Sequence, residues 1–332
     1  MKKIILILVL GVSLFTTTVV HAQTKAIELT IDPPVEYIHI MPGEKTSHTL
    51  TIQHTGSQKL EITPNLVGFE TDGETGRPIL LYGSTFRHLK LVAPYLLGDS
   101  FILNPGDKKT ITLQIDVPPD AQLGEFPQTL LFMAKTISSD LSYSTSGSEV
   151  SGGLGTNIII NVSRFGDDRG QLEIDQIFKP SFVDSFSKLE FTILAKNVGL
   201  NATNASGSAT IQNWQGKTVA EFEFYPDMIL ANNSRKLRWS NPDLGTKLDP
   251  LPSISDNPSV PNPTTLTDRF VYDPLFLFGP LTMTVNLQTN GQSGADQFNT
   301  IVVYTLAMPI SLIVISGIGL GLILLLPILK KV

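Results

Sequence analysis

Apolar and polar residues alternate with period two along most of the chain. His48, Leu50, Ile52 and His54 fall on one face of a segment whose other face carries Ser47, Thr49, Thr51 and Gln53. Ile111, Leu113, Ile115 and Val117 alternate in the same way with Thr110, Thr112, Gln114 and Asp116. Alternation in runs rich in Thr and Ile predicts half-buried antiparallel strands. Pro-Gly precedes both runs, in PGEKTSHTLTI from Pro42 and PGDKKTITLQI from Pro105, and supplies a turn ahead of each strand. Further strands are expected at 60–69, 128–136 and 156–163, separated by turn signals such as Asp72-Gly73 and Pro118-Pro119. No sustained helical stripe occurs between 26 and 300.

About seven short strands in ~140 residues indicate an immunoglobulin-like β-sandwich. In that arrangement the two Pro-Gly phrases mark neighbouring strands of one sheet, so they belong to one domain. The spacing from Pro42 to Pro105 is too short for a repeat of whole sandwiches. A second strand series begins after a polar linker at 166–170, with runs at 172–178, 188–196, 209–213, 218–224, 234–239 and 281–289. The fold class expected is therefore all-β, with two tandem immunoglobulin-like sandwiches over 23–165 and 171–303. Residues 240–274 interrupt the second series with seven prolines, a composition incompatible with a central strand.

The two ends place the chain. Lys2 and Lys3 precede an apolar run from Ile4 to Phe15, and Val20-His21-Ala22 fits a cleavage site, so 1–22 reads as a secretory signal. From Ile301 to Leu329 there is no charge, and Lys330 and Lys331 follow. A single transmembrane helix is expected at 304–329, contacting the lipid bilayer, with 330–332 as a cytoplasmic tail. That topology is type I, with the ectodomain outside the cell membrane. Gly317 and Gly321 match a helix-dimer spacing that is common by chance.

Composition narrows the chemistry. The chain has no cysteine, which removes thiolate catalysis and cysteine metal sites, and leaves stability to the packed cores. Four of the 24 Lys and Arg are the terminal lysines, so the stretch between them sets 20 bases against 30 acids. That negative balance argues against nucleic acid and anionic lipid surfaces as ligands. Ser185 and Lys188 spell SxxK and Ser255-Asp256-Asn257 spells SDN, but KTG, the third motif of penicillin-recognising enzymes, is missing. The SxxK pair also needs a helix start, whereas Lys188 opens a predicted strand. His48 and His54 lie about 20 Å apart along a strand, too far to share a metal. Glu70, Asp72 and Glu74 are read as a hairpin tip, with calcium binding as the alternative. The chain is accordingly read as non-enzymatic, with no cofactor.

At this point a family resemblance enters. PGDKKTITLQIDVPPDAQLGEF (105–126) and GGLGTNIIINV (152–162) resemble the N-terminal sandwich of bacterial WxL-interacting surface proteins, a pattern shared with pilus-chaperone-like immunoglobulin modules. NVGLNATNASGSATIQNWQGKTVAEFEF (197–224), MILANNSRKLRWSNP (228–242) and FGPLTMTVNLQTNGQSG (278–294) resemble the second domain of that family. The resemblance implies a surface protein that binds cell-wall polymer, a partner surface protein, or both. Its alternative implication is an assembly factor that lends a strand edge to a client. The Pro-rich insert departs from the family pattern. Leu244, Leu248, Leu251, Ile254, Phe270 and Tyr272 are sparse apolar side chains among its prolines and are the candidate anchors for a partner, with an inert spacer to the membrane as the alternative reading.

Overall fold

The computed structural model describes residues 26–137, 151–164, 170–240, 266–289 and 297–329. The expected signal, the linker core at 165–169 and most of the Pro-rich insert lie outside the described residues. The first sandwich consists of β1 (Leu29–Asp32), β2 (Val35–Ile40), β3 (Lys45–His54), β4 (Leu60–Thr71), β5 (Pro78–Leu81), β6 (Leu89–Leu91), β7 (Phe101–Leu103), β8 (Lys108–Asp116), β9 (Gly124–Thr136) and β10 (Ser151–Val162). One sheet has the order β1-β3-β8-β6 and the other β2-β10-β9-β4-β5, with β7 also on β4.

The two Pro-Gly phrases pair as expected. β3 and β8 run antiparallel with Leu50 opposite Ile111 and His48 opposite Leu113. Their inward residues Leu50, Ile52, Ile111, Leu113 and Ile115 are buried against Ile158 and Ile160 of the facing sheet. Gly43 and Gly106, at positive φ, make the turns ahead of each strand without a Cβ clash. His54 is also inside the core, held by hydrogen bonds to the carbonyls of Glu28 (3.0 Å) and Gln58 (2.7 Å). His48 instead pairs with Glu36 at 3.0 Å. Each histidine thus has a structural role.

The second sandwich repeats the plan with β11 (Leu172–Phe178), β12 (Phe182–Asp184), β13 (Leu189–Asn197), β14 (Thr203–Gln212), β15 (Thr218–Glu223), β16 (Asp227–Ile229), β17 (Ser234–Lys236), β18 (Trp239–Ser240), β19 (Leu266–Thr267), β20 (Phe270–Tyr272), β21 (Gly279–Thr289) and β22 (Gln297–Met308). Its main sheet has the order β12-β22-β21-β14-β15, faced by β11-β13 with β17 and β20 both on β13. In each domain the first strand of the fold is split between sheets. β2 joins β10 in parallel, and β12 joins β22 in parallel.

Two expectations change here. Residues 304–308 belong to the last strand rather than to a helix. Their alternation (Thr305 and Ala307 buried, Tyr304 and Met308 exposed) matches a sheet with one solvated face, and Leu306 pairs with Pro280. The helix, α1 (Ile310–Leu329), starts only after Pro309. Its side chains are described as far as Leu320, and among the described residues no helix is long and apolar enough to cross a membrane. The second change concerns the proline-rich stretch, whose C-terminal end returns to the sheet as β20.

Candidate functional site

In the first domain, part of β10 is paired along one side only. This strand pairs with β9 along its whole length, from Ser151 opposite Lys135 to Val162 opposite Gly124. On its other side, β2 covers only Asn157 to Val162. β2 starts at Val35 because β1 belongs to the opposite sheet and Pro33-Pro34 lies between them. Proline has no N–H to continue a ladder. Thr156 closes the covered part by donating its hydroxyl to the Pro33 carbonyl at 2.7 Å. Among the described residues, Ser151 to Gly155 therefore pair on one side only. This stretch, SGGLG, carries no charge and no proline, two of the devices that normally blunt an edge.

The sheet face beside this edge is thinned of side chains, with Met133 and Leu131 standing between Lys135 and Thr129. Gly153 and Gly155 contribute no side chain, and a Cβ at either would press on Met133 Sδ (3.1 Å) or Thr129 Cγ2 (2.6 Å). Met133, Val35 and Tyr37 stand out of this face at 42, 48 and 40 % exposure. β22 of the second domain is also partly covered, since β12 reaches only Leu306 to Met308. The face beside its open part is different, with Thr282, Thr284 and Asn286 opposite Tyr304, Val302 and Thr300.

Further along the same face the second domain docks. Phe69 and Ile159 of the first domain bury Leu230 of the second, with Leu80, Ala202 and Met228 around them. Glu125, on β9, accepts hydrogen bonds from the backbone N–H groups of Ala202 and Ala231, the latter at 3.0 Å. Burial pushes its pKa up, and those two N–H donors pull against the shift. Asn161 donates to Asn201, and Thr71 donates to Asn233 at 2.8 Å. A cavity of about 410 Å³ remains between the domains, lined by Phe69, Leu123, Glu125, Leu200, Leu230 and Asn233 among others.

The acidic hairpin tip considered for calcium is part of this junction. Asp72 accepts from the backbone N–H groups of Glu74 (3.1 Å), Thr75 (2.8 Å) and Gly76 (2.9 Å), and from the Thr75 hydroxyl. Burial acts to raise its pKa, but these hydrogen bonds together outweigh burial and hold it at about 2. The Glu74 carbonyl accepts from the Lys236 N–H at 2.7 Å, and the Glu74 carboxylate accepts from the Lys236 ammonium. Gly76 lies against the Arg235 guanidinium, where a Cβ would come within 2.8 Å. Arg235 and Arg238 in turn converge on the buried Asp227. The Asp72 carboxylate is engaged in a turn cap and the Glu74 carboxylate in a domain contact. The charge pattern located the hairpin but carried no sign of the distant Lys236 and Arg235.

Of the expected partner anchors, Leu244, Leu248, Leu251 and Ile254 lie outside the described residues. Phe270 is corrected from an anchor to a core residue. It is fully buried, stacked on Phe191 at 5.0 Å and on Trp239 at 6.0 Å between ring centroids. Tyr272 is half-buried in the same strand and packs on the second core, and burial raises its phenol pKa. The cause is ladder register: Phe270 opposes Phe191 and Tyr272 opposes Leu189. Ser185 and Lys188 are not a helical pair either. Ser185 sits buried after β12, and Lys188 is bridged to Asp273 at 2.7 Å. Ser255-Asp256-Asn257 lies outside the described residues.

No protein-family model and no curated protein matches the chain. Among solved structures, it is similar to the class 5 fimbriae chaperone CfaA at 12 % identity, covering 84 % of this chain and 99 % of that one, with a TM-score of 0.36. It is similar to a Salmonella enterica SafA pilin–SafB chaperone complex at 11 % identity, covering 84 % and 98 %, with a TM-score of 0.38. The E. coli chaperone DraB matches at 10 % identity over 83 % and 97 %, with a TM-score of 0.35. A WxL-interacting identity is not shown, and likeness at these scores assigns no family. No function follows from similarity at this level.

Proposed function

We propose that this is a non-enzymatic surface protein that captures an extended segment of a partner protein by adding it as a strand to β10 at Ser151–Gly155. The observation that carries the reading is the one-sided pairing of that stretch. Unpaired N–H and C=O groups in a row are a template for an incoming strand, and main-chain hydrogen bonds then provide affinity without demanding a sequence. The glycine-thinned face with Val35, Tyr37 and Met133 beside it offers apolar contacts to the partner's side chains. This favours the strand-lending function over cell-wall binding. The same protein is proposed to be secreted and held by the uncharged C-terminal run ahead of Lys330 and Lys331, with both sandwiches outside.

Consecutive strand residues point their N–H groups to opposite sides, so one of Gly153 and Leu154 donates toward β9 and the other outward. Of the variants Gly153→Pro and Leu154→Pro, the one that removes the outward N–H is expected to fold normally and lose capture of a surface protein in pull-downs with the full chain. Retained capture by both folded variants, or binding to purified wall polymer alone, refutes the edge as the site.

A further inference from the structure

The end of the second domain opposite the junction carries an unusual concentration of exposed aromatic side chains. They come from three separate loops. Phe182 opens β12 and Phe186 follows its end, Leu275, Phe276 and Phe278 lie between β20 and β21, and Trp214 tips the β14–β15 hairpin. Leu275 is 99 % exposed and each of the aromatics more than half exposed. Three of the rings form a chain, and the Trp214 ring lies at Gly279, next to Phe278 in sequence. Phe186 and Phe276 lie 5.4 Å apart between centroids, Phe276 and Phe278 stack at 6.4 Å, and the Trp214 ring covers Gly279, within 3.4 Å of where its Cβ would be. Leu277 alone turns inward, its N–H donating to the Ser185 carbonyl at 2.8 Å, which ties two of the loops together.

α1 leaves the domain at this place. Met308 ends β22, and Ile310 begins the helix with only Pro309 between them. Asp184 fixes the exit, accepting from the Ser311 N–H at 2.7 Å and from the Phe186 N–H at 3.0 Å. A carboxylate here satisfies orphan donors of the helix's first turn. The other acid of these loops, Asp273, is paired with Lys188. A connector of one residue leaves no room for a folded partner between the domain and whatever α1 enters, because a protein layer is about 10 Å thick. The amphipathic indole of Trp214 favours the headgroup level of a bilayer, and Phe and Leu side chains beside it enter the headgroup–acyl boundary.

We propose that Trp214, Phe186, Leu275, Phe276 and Phe278 form a lipid-facing seat that rests the second domain in the bilayer interface around the point where α1 emerges. This rests on the membrane-tethered reading above and deepens it. The helix would hold the protein, and the seat would fix the orientation of the domain and so the direction in which β10 is presented.

The chain has no cysteine, so single probes can be placed cleanly. The full chain carrying Leu275→Cys with an environment-sensitive fluorophore is reconstituted into phosphatidylcholine vesicles, beside an Asp99→Cys version. The result expected is a blue-shifted Leu275→Cys emission, quenched by nitroxides in the headgroup or upper acyl region, with the Asp99→Cys probe unshifted. Adding Phe276→Ser and Phe278→Ser should return the probe to a water-like spectrum while the protein still floats with the vesicles. A protein that floats with vesicles but gives an unshifted, unquenched Leu275→Cys probe overturns the seat and leaves the tether standing. A protein that does not float with vesicles overturns both.

Discussion

The two sandwiches solve the same pairing problem differently. In the first, the side of β3 away from β1 meets one strand, β8, through nine consecutive residue pairs from Lys45 opposite Asp116 to Gln53 opposite Lys108. In the second, the equivalent strand β13 meets two short pieces. β17 pairs Ser234, Arg235 and Lys236 with Lys196, Ala195 and Leu194, and β20 pairs Phe270, Val271 and Tyr272 with Phe191, Glu190 and Leu189. The register falls without a break, and Leu237 donates to the Ile193 carbonyl at 2.9 Å in the gap. β17 and β20 are therefore two halves of one strand, and residues 238–269 leave and rejoin it in the middle. The short β18–β19 ladder, with Trp239 opposite Thr267, brackets the exit. An interrupted strand holds when both stumps carry a buried anchor, here Leu237 and Phe270, both fully buried. Aromatic packing of Phe191, Phe222, Phe224 and Trp239 around Phe270 spans the gap, where the first core uses mainly Ile and Leu.

The sharpest way to break this comparison is Phe270→Ala, which removes the anchor of the returning half. A loss of ~3–5 kcal/mol is expected for a fully buried Phe, read as denaturant unfolding of the second domain by Trp239 fluorescence. A loss below that of an ordinary surface change would mean that β20 is not part of the strand. In the uninterrupted ladder, Leu113→Ala is expected to cost about 2–4 kcal/mol, whereas Thr112→Ala on its other face should cost under about 1. Equal costs on the two faces would contradict the pairing of inner and outer positions.

Joining Ser240 to Leu266 through four Gly and Ser residues tests whether the excursion contributes to the fold. Each halving of loop length favours closure by ~0.6 kcal/mol, so the second domain should be slightly stabilised. A domain that fails to fold without 241–265 would show that the excursion is an integral part of it.

Glu125→Ala probes the junction that holds the two ladders relative to each other. It leaves the N–H groups of Ala202 and Ala231 without their acceptor, at a cost on the order of 1–3 kcal/mol in domain coupling. Faster hydrogen exchange at those two amides, with both cores unaffected, is the expected readout. Glu125 and Asp72 titrate with opposite sign. The Glu125 pKa is raised by burial, so its charge disfavours the docked state above that pKa and the penalty disappears as pH falls through it. The Asp72 pKa is depressed from 3.8 to about 2, so its turn-stabilising contribution is complete above 3.8 and lost as pH falls through about 2. The smallest effect expected is thus faster exchange at the Glu74, Thr75 and Gly76 amides in that acid window, with no change at β3 or β8. Unchanged exchange there would refute the cap.

The sequence was most legible where one residue's environment repeats every second position. Period two located β3, β8 and β13, assigned Leu50, Ile52, Leu113 and Ile115 to the inside, and paired the Pro-Gly phrases. It misled at the ends of apolar runs. Tyr304 to Met308 reads as the start of a membrane span because its apolar content hides its alternation, yet it is the end of β22. It misled again at Phe270, where proline density suggested an exposed excursion and concealed a three-residue return to β13. The candidate edge was less legible still, since SGGLG shows no alternation that marks it as half-paired.

What the chain determined by itself was local. Side-chain alternation, turn chemistry at Gly43 and Gly106, and the absence of cysteine already imply two disulfide-free sandwiches held by apolar cores. Which edges stay open, which acids are engaged, and where the aromatics of three loops meet were decided only by the tertiary structure. Each depends on residues far apart in sequence: β2 ending its cover at Asn157, Glu74 meeting Lys236, and Trp214 reaching Gly279. Backbone sterics and hydrophobic period act over a few neighbours, whereas edge coverage and loop convergence depend on how two sheets pack and how the chain crosses between them.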